Sequence, residues 1–527
     1  MTDVQPTNNG FANTGRRAGI EEIEHNERAP FILTFAEVKL LGIAGIGFFL
    51  DAYDLFIINP VATMLQYRLY GGHNLPPNLE GFMKAGANIG SVIGQFAFGY
   101  AADALGRKAV YGKELMLIIF ATIMSLTTPT GLLSPDHCLI YLGMFRILLG
   151  IGVGGDYPMS ASVTSDRSNL RKRGTMLAYI FSNQGWGSLV GGLVTVIVLA
   201  AYKGVIEGKG EVSKVDGVWR IVVGISLVPA FGTLYQRLTL PESTRYIAAQ
   251  KLKSGEEGDA IAEIKRAQLG ESRDGKVEES IQISSIDDDK APEELATKKA
   301  QFTEFLEYFS EWKHAKILLG TCMCWFFLDI AFYGINLNQN VVLQQIKFDG
   351  KTGTPWHRLF KIGTGNIIIT ALGFVPGYYV TILTIEKLGR KWIQIQGFLF
   401  AAFFLSILAG LFNKLSTVAF VVNFAFLQFF FNFGANTTTY CYPAEVFPTR
   451  FRGFAHGISA ACGKAGAIIS ALVFNTLSQK IGIPNVLWIF VGCCVAGAGF
   501  TLLLPEVKAR DPDLVLAEEI SSKLAQK

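Results

Sequence analysis

Twelve runs of roughly twenty or more mostly apolar residues divide this chain, near 38–63, 81–103, 109–130, 137–162, 174–201, 218–240, 314–342, 359–385, 392–413, 416–442, 454–480 and 484–505. A run of that length crosses the ~30 Å hydrocarbon core of a bilayer as one helix, with every backbone polar group bonded inside it. The pattern predicts an all-α membrane protein with twelve transmembrane helices. Composition points the same way. Only 17% of the 527 residues are charged and half are hydrophobic, where soluble domains carry roughly 25% charge. The 56 glycines suit helices that approach closely in lipid. A net charge of +4 spread over loops leaves no nucleic-acid footprint, so no nucleic-acid partner is expected. No nucleophile–base pair, nucleotide loop or metal-ligand spacing stands out, so neither an enzyme nor a cofactor or metal is expected.

Orientation follows from lysine and arginine. Arg107 and Lys108, then Arg167 to Arg173, then Arg390 and Lys391, then Arg450 and Arg452, follow the second, fourth, eighth and tenth runs. These loops share one side with both termini, and that side is expected to be cytoplasmic. The first thirty residues are polar and mixed in charge, unlike a cleavable signal peptide. The expected organisation is a tail over 1–37, a six-helix bundle over 38–240, a cytoplasmic loop over 241–313, a second bundle over 314–505 and a tail over 506–527. The two bundles echo each other. Asp103-Ala-Leu-Gly106-Arg107-Lys108 recurs as Glu386-Lys-Leu-Gly389-Arg390-Lys391, and Asp166, Arg171, Arg173 and Gly174 recur as Glu445, Arg450, Arg452 and Gly453. An internal repeat of about 280 residues predicts two pseudo-symmetric bundles that rock about a central site. Asp103, Arg107, Asp166, Arg171, Glu386, Arg390, Glu445 and Arg450 are expected to latch neighbouring helices in one state; plain orientation and structure is the blander alternative.

Seven ionisable side chains interrupt the apolar runs: Asp51, Asp54, Glu114, Arg146, Asp156, Asp329 and Lys464. Each costs at least ~2.5–3.5 kcal/mol near mid-membrane, so such groups mark ion or substrate routes. Trp325, Asp329 and Tyr333 recur every four residues and share one helix face. Lys464 lies at similar depth in the eleventh run. An anion needs a cation and neutral donors, and Tyr157, Gln184, Trp325, Tyr333 and Asn436 can supply the donors. The bland alternative is a buried Asp329–Lys464 pair among packed aromatics. Asp51, Asp54 and Asp156 suit a proton relay that Glu114 and Arg146 would join, or the last two would form a structural pair.

Gly99-Tyr-Ala-Ala-Asp103-Ala-Leu-Gly106-Arg107-Lys108 resembles the loop motif of the major facilitator superfamily. Pro241-Glu242-Ser243-Thr244-Arg245 and Arg146-x3-Gly150-x-Gly152-x-Gly154 are similar to its sugar-porter-like branch. Gly154-Gly155-Asp156-Tyr157-Pro158-Met159-Ser160-Ala161-Ser162 resembles the signature of the phosphate:proton symporter family of fungi and plants, with Met159 where Leu is usual. The resemblance spans nearly all of the chain except the termini and the central loop. It implies the major facilitator fold, a plasma-membrane setting, and proton-driven uptake of inorganic phosphate across the lipid bilayer. It also places Tyr157, Gln184, Trp325, Asp329, Tyr333, Asn436 and Lys464 around phosphate. Asp51 and Asp156 fall under proton coupling most directly, Glu114 and Arg146 less so. Protonation of Asp329 would remove its repulsion of phosphate and so link the two ligands. A phosphate transceptor with little flux, or a carrier of glycerophosphodiesters or another oxyanion, are the competing readings. Ser280, Ser284, Ser285 and the lysines of the central loop would admit a kinase or ubiquitin ligase as partner; a solvated linker is the plainer reading.

Overall fold

The computed structural model describes residues 29–168, 170–241, 302–338, 342–343, 353–508 and 510–525. In the first half, α1 (Phe35–Tyr70) and α2 (Pro77–Leu105) precede α3 (Lys113–Leu126), which is entered through a single turn at Arg107–Val110. α4 (Pro135–Arg167), α5 (Arg173–Ala201) and a two-piece α6 (Val215–Gly224, then Leu227–Leu238) complete it. The second half holds α7 (Trp312–Asn336), α8 (Pro355–Leu388), α9 (Arg390–Leu411), a broken α10 (Thr417–Asn432, then Ala435–Val446), α11 (Arg452–Ile481) and α12 (Ile483–Thr501). Eleven of these are long and apolar enough to cross a membrane. α2 has the length but carries Glu80, Lys84, Asn88, Gln95 and Asp103. Among the described residues there is no strand. The fold is the expected all-α arrangement of twelve helices in two bundles.

Two helix pairs make the most extensive contacts between the halves, α2 with α11 and α5 with α8. These pairs are interchanged by the pseudo-twofold. Small residues make the approach: a Cβ on Gly99 would lie 2.7 Å from Gly453 O, and one on Gly457 would overlap Gln95 O. The repeat seen in sequence is also a repeat of backbone. Gly106 (φ 90°, ψ 153°) and Gly389 (φ 83°, ψ 161°) turn α2 into α3 and α8 into α9 through a conformation that a Cβ disfavours.

Acids and arginines at this basic end do meet, within each half and across the halves. Arg107 lies 3.4 Å from both Asp103 and Asp166, and Asp166 also pairs with Arg452 of the other half. Asp103 accepts from Gly453 N (3.0 Å) and Phe454 N (2.7 Å), again across the halves. Arg390 pairs with Glu386 (2.8 Å) and Glu445 (2.7 Å), and Glu386 accepts from Thr175 N at 2.9 Å. Glu445 belongs to Arg390, and Arg450 pairs with Glu304. Glu304 sits on a short helix over 302–310, inside the stretch read as loop, whose Phe305 packs on Phe451 and Phe454. The C-terminal stretch is likewise more than a tail. Its helix α13 (Pro512–Ala525) follows Asp511, which reaches Arg173 at 3.7 Å. Asp513 accepts from Thr449 N and Oγ1, both at 2.6 Å. Ser280, Ser284, Ser285 and residues 242–245 lie outside the described residues.

Candidate functional site

α1, α4, α5, α7, α8, α10 and α11 each send a polar or aromatic side chain to one buried place between the halves. Asp51 of α1 accepts from Tyr157 Oη of α4 (2.6 Å) and Gln184 Nε2 of α5 (3.2 Å), and Gln184 also bonds Tyr157 (2.7 Å). From the second half, Tyr378 of α8 donates to Gln184 Oε1 (3.3 Å) and accepts from Asn436 Nδ2 of α10 (2.9 Å). Lys464 of α11 donates to Tyr333 Oη of α7 (2.7 Å), with its ammonium 5.1 Å from the Tyr157 ring centre. The Trp325 ring lies over Gly463, beside Lys464, and 6.1 Å from Tyr157. All seven residues expected around an anion are buried here, Gln184 the most exposed at 8%.

Local breaks in helical structure aim several of these groups. Pro158 cannot donate within α4, directly after Tyr157. α10 is interrupted at Phe433 and Gly434, where Gly434 abuts Gly397 of α9. The carbonyl of Asn432, left over at the break, accepts from Thr381 (2.9 Å) and Thr437 (2.8 Å). Irregular backbone at this depth needs such partners, because lipid offers none. The break delivers Asn436 to the site and Asn432 Oδ1 behind it at 2.8 Å.

Three expectations change. Asp329 and Lys464 share the site but close no direct ion pair; Lys464 is held by Tyr333, and Asp329 Oδ2 is buried without a hydrogen-bond partner. The acidic relay does not form one group. Asp51 belongs to the central cluster, while Asp156, though adjacent in sequence to Tyr157, points away to Arg237 of α6. Glu114 also pairs with Arg237 (3.1 Å), so the alternative of a Glu114–Arg146 pair does not form. Arg146 instead donates to Met83 O (2.9 Å), and Asp54 stays buried with Oδ2 unpartnered. Helix rotation decides this: neighbouring residues on one helix face different interiors.

Sequence reasoning missed Tyr378, Asn432, His456 and Arg237. A tyrosine or asparagine in an apolar run carries no charge to flag it. His456 is fully buried, its ring 5.6 Å from Trp325 and 5.3 Å from Tyr440. Arg237 sits near the end of an apolar run, where an arginine ordinarily snorkels to water.

The halves contribute equivalent positions. Asp51 and Asp329, Tyr157 and Asn436, and Gln184 and Lys464 are each separated by about 280 residues, the spacing of the repeat. A buried, two-sided site on the pseudo-twofold, lined by one free carboxylate oxygen, one ammonium and several neutral donors, defines a membrane carrier for a small polar solute.

Comparison with known proteins agrees. The profile of the family described as sugar (and other) transporter matches residues 40–515, and the chain belongs to that family. Within it the chain groups with inorganic phosphate transporters. Two Schizosaccharomyces pombe proteins provisionally so named are 44% and 45% identical, across 94% of this chain and 90% of each relative. The inorganic phosphate transporter PHO84 of Saccharomyces cerevisiae is 37% identical across 94% of this chain and 86% of its own. Among solved structures, the proton:xylose symporter XylE with a bound bromodeoxyglucose superposes at a TM-score of 0.69, covering 90% of this chain and 98% of that one. At 19% identity it supports the major facilitator fold alone.

Proposed function

We propose that this protein imports inorganic phosphate together with protons by alternating access, in the plasma membrane, with the basic end and both termini in the cytoplasm. One observation carries the reading. Lys464, Asp329, Tyr333, Tyr157, Gln184, Asn436 and Trp325 meet in one buried place, in a chain whose relatives are named phosphate transporters.

In this reading Lys464 supplies the positive charge and the tyrosines, Gln184, Trp325 and Asn436 the neutral donors for dihydrogen phosphate. Asp329 faces the same place with an unsatisfied oxygen. An ionised Asp329 repels the anion, and a protonated one can donate to it, so proton and phosphate each favour the other's binding. Voltage sets the need for more than one proton. A monoanion entering an inside-negative cell works against ~2.3 kcal/mol per 100 mV; one proton cancels that and a second turns it into a drive. The acids and arginines at the basic end act as the latch that holds the halves together there.

The test is uptake of labelled phosphate into liposomes containing the purified chain, with pH gradient and voltage imposed separately. Acceleration by an inward proton gradient, competed weakly by sulfate, glucose and glycerophosphoinositol, is expected. Phosphate binding without flux would favour a sensor, and strong competition by glycerophosphoinositol a diester carrier. Phosphoester turnover by the purified protein would overturn the carrier reading in favour of an enzyme.

A further inference from the structure

At the basic end, a pocket of about 370 Å³ lies between the start of α7, the end of α12 and α13, sharing no residue with the central site. Its volume falls within the ~300–1,000 Å³ range of small-molecule sites. Lys316 and Ile317 follow Lys313 by three and four residues, so all three line it from one face of α7. Val446, Leu503 and Val515 add apolar wall, and Arg510 lines it from just ahead of α13. The acids of the lining already have partners. Glu519 of α13 meets Lys313 at 3.2 Å and His314 at 3.3 Å, and Glu445 meets Arg390 at 2.7 Å. Lys316 and Arg510 are in no ion pair among the described residues. Two cations from different elements thus line one partly apolar space.

An anion suits two such cations, and the pocket narrows its chemistry. A bare ion makes no use of Ile317, Val446, Leu503 and Val515, so the ligand carries an organic part. Arginine forks onto two oxygens of one phosphate, and lysine adds a point charge. A phosphomonoester offers three acceptor oxygens and about −1.5 to −2 charges, which answers two cations where a carboxylate or a phosphodiester answers one. We propose that this pocket binds a phosphomonoester, its phosphate held by Lys316 and Arg510 and its organic part by the apolar wall, and that occupancy slows transport. The ester is a lipid headgroup of the adjoining leaflet or a soluble organic phosphate. Trp312, one turn before Lys316 and 67% exposed, is of the residue type that settles at headgroup level. The link to transport lies in the residues after Arg510. Asp511 reaches Arg173 of the first half at 3.7 Å, and Asp513 reaches Arg452 of the second at 3.8 Å. A phosphate bridging Arg510 to Lys316 holds this segment against both halves. Opening of the basic end, which the carrier reading requires, parts these contacts. The ligand therefore favours the closed basic end and withdraws carriers from the cycle. This inference rests on the carrier reading and adds a control site to it.

The experiment measures binding and uptake with the purified full chain. Phosphatidic acid in nanodiscs and glycerol phosphate in solution supply the phosphomonoester with and without acyl tails, and phosphatidylglycerol in nanodiscs supplies a phosphodiester. Phosphatidic acid, glycerol phosphate or both should bind at least ~10-fold more tightly than phosphatidylglycerol. Preference for phosphatidic acid assigns the site to lipid, and equal binding of the two esters to a soluble one. Lys316→Gln and Arg510→Gln should each lose about that factor, whereas Lys464→Gln, in the central site, should keep it. Val515→Phe fills the pocket without altering charge and should also lose binding, which keeps the test open if a charge variant fails to fold. In liposomes the ester that binds should slow phosphate uptake by the wild type several-fold and leave uptake by Lys316→Gln unslowed. Equal affinity for all three compounds, unchanged affinity in both charge variants, or binding with no slowing of wild-type uptake overturns the proposal. A wild type that binds the ester yet carries no phosphate when the ester is left out overturns the carrier reading instead.

Discussion

In the first half of the molecule, Asp51 of α1 is satisfied by Tyr157 of α4 and Gln184 of α5. In the second half, the corresponding Asp329 of α7 keeps a buried oxygen without a partner, and Lys464 of α11 turns to Tyr333. The same three positions of the repeat thus produce one closed half-site and one open one. Two of the three equivalent places differ, Tyr157 against Asn436 and Gln184 against Lys464, and the second of these exchanges a neutral amide for an ammonium. Gln184 can both donate to and accept from its neighbours, so it completes a local network. Lys464 only donates, and with Tyr333 Oη as its hydrogen-bond acceptor here it can still take another. Symmetry builds the cavity, and its breaking leaves the second half with the ammonium and the unpartnered carboxylate oxygen on which the proposed anion site rests.

The comparison can be broken at four places. Asp329→Asn should have the largest effect, removing proton-driven accumulation and costing ~10–100-fold in proton-coupled uptake; an unchanged pH dependence in liposome uptake would take Asp329 out of coupling. Lys464→Gln copies the first half's amide into the second. Losing a charge-assisted bond worth ~1.5–3 kcal/mol should weaken phosphate affinity about 10–100-fold, read by binding titration. Equal affinity in variant and wild type would place the cation elsewhere. Asp51→Asn should reduce the proton sensitivity of uptake more than its half-saturation concentration, because Asn retains an acceptor for Tyr157. If affinity drops more than proton sensitivity, the first half-site is not closed and Asp51 belongs to the substrate. Tyr378→Phe removes one bridge between the half-sites, at about 1 kcal/mol for a neutral hydrogen bond. Uptake should fall by only a few-fold, and complete loss would show that the bridge between halves, more than either half-site, holds the cavity together.

Much of this molecule was legible before any coordinates. The twelve helices, the repeat and the similar depth of Asp329 and Lys464 follow from hydropathy and from charges stranded in apolar runs. Asp329 and Lys464 announced themselves because nothing cheap puts a charge there. Tyr378 did not, since a tyrosine in an apolar run costs little and signals less. Arg237 was overlooked for the opposite reason: a few residues from a helix end, an arginine has an easy way to water, and only the packing of α1, α3 and α4 closes that way. The same limit explains the latch. The repeat named Glu445 and Arg450 without their partners, and the chain folds Arg390 of the neighbouring helix onto Glu445 and sets Arg450 against Glu304.

The order of residues alone determined the succession of apolar helices and that they come in two related halves, because transfer into lipid is scored locally, run by run. Which buried charge meets which was decided in three dimensions. A helix fixes the spacing of its side chains but not its own rotation against neighbours, so Asp156 and Tyr157, one bond apart in sequence, end in different interiors.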